Sequence, residues 1–190
     1  IKDTAILNEK NGILGMTPLK YFTIFLKDKL YDSIRFNNSS EDYLGRFYGE
    51  FMSYSGGDGQ TLGIVLTPKH ITDLFCKLAD LKDDDIVLDP CCGTGGFLIS
   101  AMHEMVQKIK ESNIGENSKQ NKIKNIKQKQ LHGIELQPYM FTIATTNMIL
   151  RGDGKSNIIN ENFLSQESGT LQLKQANVGM MNPPYSQGSS

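Results

Sequence analysis

Tryptophan is absent from the 190 residues, and cysteine is nearly so, with only Cys76, Cys91 and Cys92. An odd number of thiols, two of them adjacent, offers neither a disulfide framework nor the CxxC spacing of a zinc site, so no metal is expected. No apolar run approaches the roughly 18 residues of a membrane span, and no basic-then-apolar stretch opens the chain as a secretory signal would. Charge of one sign is missing as well. Twenty basic against 21 acidic side chains leave a net charge of -1, which argues against a uniformly basic nucleic-acid coat. Reduced thiols and the lack of a span or signal predict a cytoplasmic protein with no membrane partner.

The charge is nevertheless uneven. Between Lys108 and Lys129 seven lysines face only Glu111 and Glu116, so this stretch carries +5 and the remainder -6. It is polar, nearly free of aromatics and low in complexity, the composition of a solvated loop inserted at about 108–130. A phosphate-contacting arm is the other reading of the same lysines. The chain opens at Ile1 rather than Met and closes at Gln187-Gly188-Ser189-Ser190, so a fragment is expected, inactive by itself.

Residues 1–62 place Phe22, Phe25, Leu26 and Leu30, then Tyr43, Leu44, Phe47, Tyr48 and Phe51, at helical spacing, which predicts a small helical N-terminal region. Ser55-Gly56-Gly57-Asp58-Gly59 closes it as a loop. Residues 63–190 read as a second, catalytic domain. There Thr67-Pro68 predicts a helix start, with Thr67 as the cap and Pro68 in the first helical position, and Ile71, Leu74, Phe75 and Leu78 line one face. Strands follow at Ile86-Val87-Leu88, Leu131 to Leu136, Asn157-Ile158-Ile159 and Val178 to Met181, separated by helices Phe97 to about Ile109 and Pro138 to Arg151. Strands alternating with helices predict an α/β, doubly wound sheet of Rossmann-like type, truncated after its fourth strand. Ligands of such sheets bind at the carboxyl ends of the strands.

Each unusual residue group falls at such an end. Asp89-Pro90-Cys91-Cys92-Gly93-Thr94-Gly95-Gly96-Phe97 joins a buried strand to a helix. Its glycines allow a sharp turn and a close ligand approach, and the helix start favours an anionic group. It lacks the Gly-Lys-Ser/Thr ending of a phosphate loop. A carboxylate at the strand end suits an ammonium group. A ligand carrying both charges, such as the methionine half of S-adenosylmethionine, meets both demands. Glu135, in Gly133-Ile134-Glu135-Leu136, ends the next strand and is placed for ribose hydroxyls.

At the end of the fourth strand stand Asn182, Pro183, Pro184 and Tyr185. Two prolines cannot extend a sheet, and they stiffen the backbone so that its carbonyls are aimed. The Asn182 side-chain oxygen and the Pro183 carbonyl can then accept both protons of an exocyclic amine, with Tyr185 as a stacking face. Two acceptors favour a pyramidal nitrogen with a directed lone pair, which a ring-conjugated amine otherwise lacks. No strong base is needed. A base inside a duplex would have to be flipped out to reach this loop.

With these motifs in this order, and with Gly63 to Pro68 ahead of the glycine turn, residues 41 to 187 resemble the amino-methyltransferases that act on adenine in DNA. The resemblance is greatest to the modification subunits of type I restriction-modification systems. It implies an S-adenosylmethionine-dependent enzyme in which Thr67 helps hold the methionine carboxylate and Asp89 the amino group. Gly93, Thr94 and Gly95 would line the cofactor, with Glu135 on the ribose, Leu136 on the adenine, and Asn162 and Phe163 nearby. Asn162 stands where the family usually has Asp. The partners implied are DNA, a specificity subunit and a restriction subunit. Methyltransferases of glutamine amides in protein or of ribosomal RNA bases share the Asn-Pro-Pro-Tyr loop, and a non-catalytic binding module is a third reading.

Overall fold

The computed structural model describes residues 10, 12–13, 15–31, 66–152, 157–165 and 175–183. The chain divides into two compact units, residues 1–38 and 39–190. The expected boundary at 62/63 lies outside the described residues, as do Tyr43, Leu44, Phe47, Tyr48, Phe51 and the glycine-rich loop that follows them. In the first unit, helix α1 (Pro18–Leu26) starts where Thr17 accepts the Lys20 N–H at 3.2 Å and Pro18 takes the first turn, where its missing N–H costs nothing. A π turn, Lys27–Tyr31, follows it.

The second unit holds helix α2 (Lys69–Leu78), strand β1 (Val87–Asp89), helices α3 (Gly96–Glu111) and α4 (Glu116–Asn125), and strand β2 (Leu131–Ile134). Helix α5 (Pro138–Leu150) and strands β3 (Ile158–Ile159) and β4 (Val178–Gly179) complete it. The four strands form one parallel sheet in the order β3-β2-β1-β4. The three β1 residues are all buried, as the apolar run Ile86-Val87-Leu88 implies for a central parallel strand. The chain runs outward from β1 through β2 to β3, then returns to place β4 on the other side of β1. The carboxyl ends of β1 and β4 therefore flank the point where the winding reverses, which is where open sheets of this kind hold their ligands.

Polar side chains set the start of this strand pair. Asp85 accepts the Lys82 N–H at 2.6 Å and an Asn177 amide N–H at 2.7 Å, while the Asn177 oxygen accepts the Ile86 N–H at 2.7 Å. Helix α2 lies against α3, with the Phe75 and Phe97 rings 5.5 Å apart and the Thr72 and Ser100 hydroxyls 2.7 Å apart.

Two local expectations are corrected. Thr67 does not cap α2: Pro68 holds the cap position without a side-chain bond, and its carbonyl accepts the Ile71 and Thr72 N–H groups. The extended backbone of Pro68, with ψ of 143°, sets Thr67 one residue too far from the free amides. The lysine-rich segment is not a loop either. It forms α4 and a π turn, Ile126–Gln130, because Ile123 and Ile126 pack against the core. Several of its lysines are tied down as well. Lys108 pairs with Asp80, Lys122 pairs with Asp83, and Lys127 donates to the Arg151 carbonyl at 2.7 Å. Among the described residues, no helix is long and apolar enough to cross a membrane.

Candidate active site

The turn after β1 is built from backbone constraints. Gly93 and Gly95 have φ of 55° and 88°, in the left-handed region that side chains with a Cβ rarely adopt. The Cys92 N–H donates to the Ile134 carbonyl at 3.0 Å, laying the turn against β2, and the Gly95 N–H donates to the Cys92 carbonyl at 2.7 Å. A second layer supports it from behind. The fully buried Asn147 of α5 donates to the Thr94 carbonyl at 2.9 Å. Asn147 was not singled out from the sequence, where an Asn within a helix gives no sign of facing a turn 53 positions away.

Asp89 ends β1 with 1% of its surface exposed, accepting the Cys91 N–H at 3.2 Å. Burial pushes its carboxyl up to about 7; the Cys91 bond opposes that rise and the nearby Glu135 charge adds to it. Glu135 takes the Gly93 N–H on one oxygen and the Gln137 N–H on the other, both at 2.8 Å. Each oxygen keeps a further lone pair, so both can still accept a hydroxyl. Asn160, which sequence reasoning passed over for Asn162, donates to the Glu135 and Leu136 carbonyls at 2.7 and 3.0 Å and so fixes the end of β2.

A hollow opens at the reversal point, with about 360 Å³ of unfilled space including its mouth. Thr67, Asp89, Cys91, Gly93, Thr94 and Asn182 are among its lining residues. Residues from three distant parts of the chain thus share one cavity, and Asn182 stands on it together with Asp89, as the amine-acceptor reading requires. Asn182 is exposed, and its amide donates to the Thr67 hydroxyl at 3.1 Å. Burial, with Asp89 and Glu135 nearby, pushes the Cys91 thiol up to about 11, so it stays neutral.

Glu135 joins the hollow through Gly93, and Gly95 holds the cap position before α3. Leu136, Asn162 and Phe163 are not among the lining residues; they lie farther along the strand ends, past β2 and β3. Leu136 is 62% exposed, an apolar surface open to a flat ring. The Asn162 side-chain oxygen accepts the Leu164 N–H at 3.0 Å, closing a local turn. Pro183 is described and exposed, whereas Pro184 and Tyr185 fall outside the described residues. Among the described residues, no group of three or more His, Cys, Asp or Glu side chains could hold a metal ion.

A parallel sheet that reverses about its central strand, with a glycine turn and acidic strand ends at the reversal, defines the class of doubly wound α/β proteins that bind nucleotide-like ligands. The N-6 DNA Methylase family matches residues 39–189, and the chain belongs to that family. It is 50% identical over 187 residues to the type II restriction enzyme and methyltransferase RM.BcgI of Heyndrickxia coagulans, covering 98% of this chain and 28% of that protein. It is 28% identical over 156 residues to the type I restriction enzyme EcoEI methylase subunit of Escherichia coli, covering 81% of this chain and 30% of that one. The crystal structure of a modification subunit from Vibrio vulnificus YJ016 matches with a TM-score of 0.52 and 26% identity, over 67% of this chain and 25% of that one. The chain thus spans less than a third of each of these relatives.

Proposed function

We propose that the protein containing this chain transfers the methyl group of S-adenosylmethionine to the exocyclic amine of adenine in DNA. The observation that carries this reading is the placement of Asn182 and Asp89 on one hollow at the reversal point of the sheet. The residues present fit such a donor. Asp89 is a buried acceptor for its ammonium group, and the remaining lone pairs of Glu135 suit ribose hydroxyls. A Cβ at Gly93 would meet nothing within 4 Å, so the backbone there is open to a close approach, and Leu136 offers its exposed side chain to the adenine. Asn162 and Phe163 complete the same reading on the β3 side.

S-adenosylmethionine, when bound, supplies a methyl group on a positively charged sulfur. The task of the chain is then to prepare the nucleophile. The Asn182 oxygen and the Pro183 carbonyl accept the two amine protons, pull the nitrogen toward a pyramidal shape and aim its lone pair. Once a fourth bond forms at nitrogen, a proton becomes acidic and leaves through one of these acceptors to water, so an amide serves where a hydrolase would need a carboxylate or histidine. Pro184 and Tyr185 are proposed to stiffen the loop and to stack on the flipped base.

DNA is preferred over a protein glutamine or ribosomal RNA because the family and the relatives above are named for DNA methylation or restriction. The partners proposed are DNA, a specificity subunit and a restriction component. Relatives named as methylase subunits support a multi-subunit arrangement. The relative named as both restriction enzyme and methyltransferase supports restriction within the same system. The test is Asn182→Ala in the full-length protein with isotope-labelled donor and DNA. Methyl transfer should fall by about a hundredfold or more while donor affinity stays within about threefold. Full activity of the variant, or a product other than methylated adenine, would sink the reading.

A further inference from the structure

We propose that Thr67 is a positioning residue for Asn182: its hydroxyl oxygen accepts the Asn182 amide N–H and thereby holds the amide oxygen turned away, toward the side from which the substrate amine must come. The inference rests on the reading above, in which Asn182 is the amine acceptor, and gives Thr67 a task apart from contact with the methyl donor.

Two observations carry it. The bond itself, Asn182 Nδ2 to Thr67 Oγ1 at 3.1 Å, links residues 115 positions apart across the same hollow. Thr67 precedes a helix yet does not cap it, since Pro68 occupies the cap position with no side-chain bond. A threonine one place nearer the helix would spend its oxygen on free amides; here that oxygen meets Asn182 instead.

The chemistry needs such a tether. An amide group presents a donor and an acceptor of nearly equal size, and a half-turn about its last bond would aim N–H groups at an amine that itself offers N–H. Donor would face donor, and the lone pair would lose its guide. A neighbour that accepts from the nitrogen side selects the productive orientation. A hydroxyl can do so while its own proton remains available to an anionic ligand group, so donor binding and amide orientation need not compete.

The test uses Thr67→Val and Thr67→Ser in the full-length protein. Valine keeps the shape and removes the oxygen, and α2 loses no cap because Thr67 supplies none. At saturating donor and DNA, Thr67→Val should lower kcat by about ten- to a hundredfold, over and above any loss of donor affinity read by calorimetry, and Thr67→Ser should recover most of the rate. Thr67→Val combined with Asn182→Ala should transfer no more slowly than Asn182→Ala alone, because both remove one device. A crystal structure of Thr67→Val should show the Asn182 amide displaced or spread over several rotamers. A change in donor affinity alone, failure of serine to recover the rate, multiplying losses in the double variant, or an unmoved Asn182 amide would overturn the inference. Each of those outcomes leaves the methyltransferase reading standing if Asn182→Ala is itself inactive. An active Asn182→Ala would remove both.

Discussion

Asp89 carries the main electrostatic conflict among the described residues: a carboxylate almost sealed from water at the position where a cation is to be held. The folded protein keeps a proton on it up to about pH 7, whereas the ordinary carboxyl releases its proton near 3.8. The folded state therefore binds more protons than the unfolded chain across that window, so this group's contribution to stability is full below it and is lost as pH rises toward 7. Donor binding should run the other way, because an ammonium pairs with the ionised form. Between pH 7.5 and pH 5.5 the apparent donor affinity should fall on the order of tenfold or more, as the competent fraction shrinks. Calorimetry across that range checks it, and Asp89→Asn should flatten the profile while weakening binding. A level profile in the unaltered protein would mean that Asp89 does not meet the cation.

Among the elements, the close fit of the β1 turn on β2 decides where the site lies. Gly133 sits between Asp89 and Ile158 in the sheet, and a Cβ there would come within 3.0 Å of the Cys92 sulfur and of a Leu98 methyl, and 3.2 Å from Ile158. The glycine of Gly133-Ile134-Glu135-Leu136 is therefore required by crowding, in contrast to Gly93 and Gly95, where the backbone angle demands it. Gly133→Ala should cost about 1–3 kcal/mol, read as a lower urea midpoint with an unchanged slope. It should also weaken donor binding, because Cys92 belongs to the turn that presents Gly93 to Glu135. An alanine variant of unaltered stability would mean that this packing can relax without loss.

At the scale of the whole molecule, the lysine-rich segment and the acidic turn before β1 complement each other. Asp80 is shared by Lys82 and Lys108, Asp83 by Lys122, and the carbonyls of Asp83 and Asp85 accept from Gln130. The +5 charge read along the sequence is thus partly spent within the fold, which weakens the phosphate-arm reading of these lysines. Half-exposed pairs of this kind are worth little, so Lys122→Gln should lower stability by less than about 1 kcal/mol. The log–log salt slope of DNA binding should move by less than about one unit. A loss of a full unit would put Lys122 on a phosphate.

Much of this was legible along the chain, for a physical reason. Glycines at a strand-to-helix turn, a carboxylate at a strand end and paired prolines after a strand are constraints that a few neighbouring residues impose. The alternation that predicts a parallel sheet is likewise local. The helix in the lysine-rich segment was hidden because only Ile123 and Ile126 mark its inner face, and composition averages them away. Thr67 is not the cap the local rule expects because the extended backbone of Pro68 carries it away from the free amides, and its oxygen meets a partner 115 positions away instead. Contacts such as Asn147 with Thr94, Asn160 with Glu135 and Thr67 with Asn182 arise only once the strands are ordered β3-β2-β1-β4. Short-range sterics, periodicity and the family resemblance named the candidate residues. Packing around the reversal at β1 chose which of them meet, because hydrogen bonds between distant residues depend on sheet order, and that order leaves no mark on residue spacing.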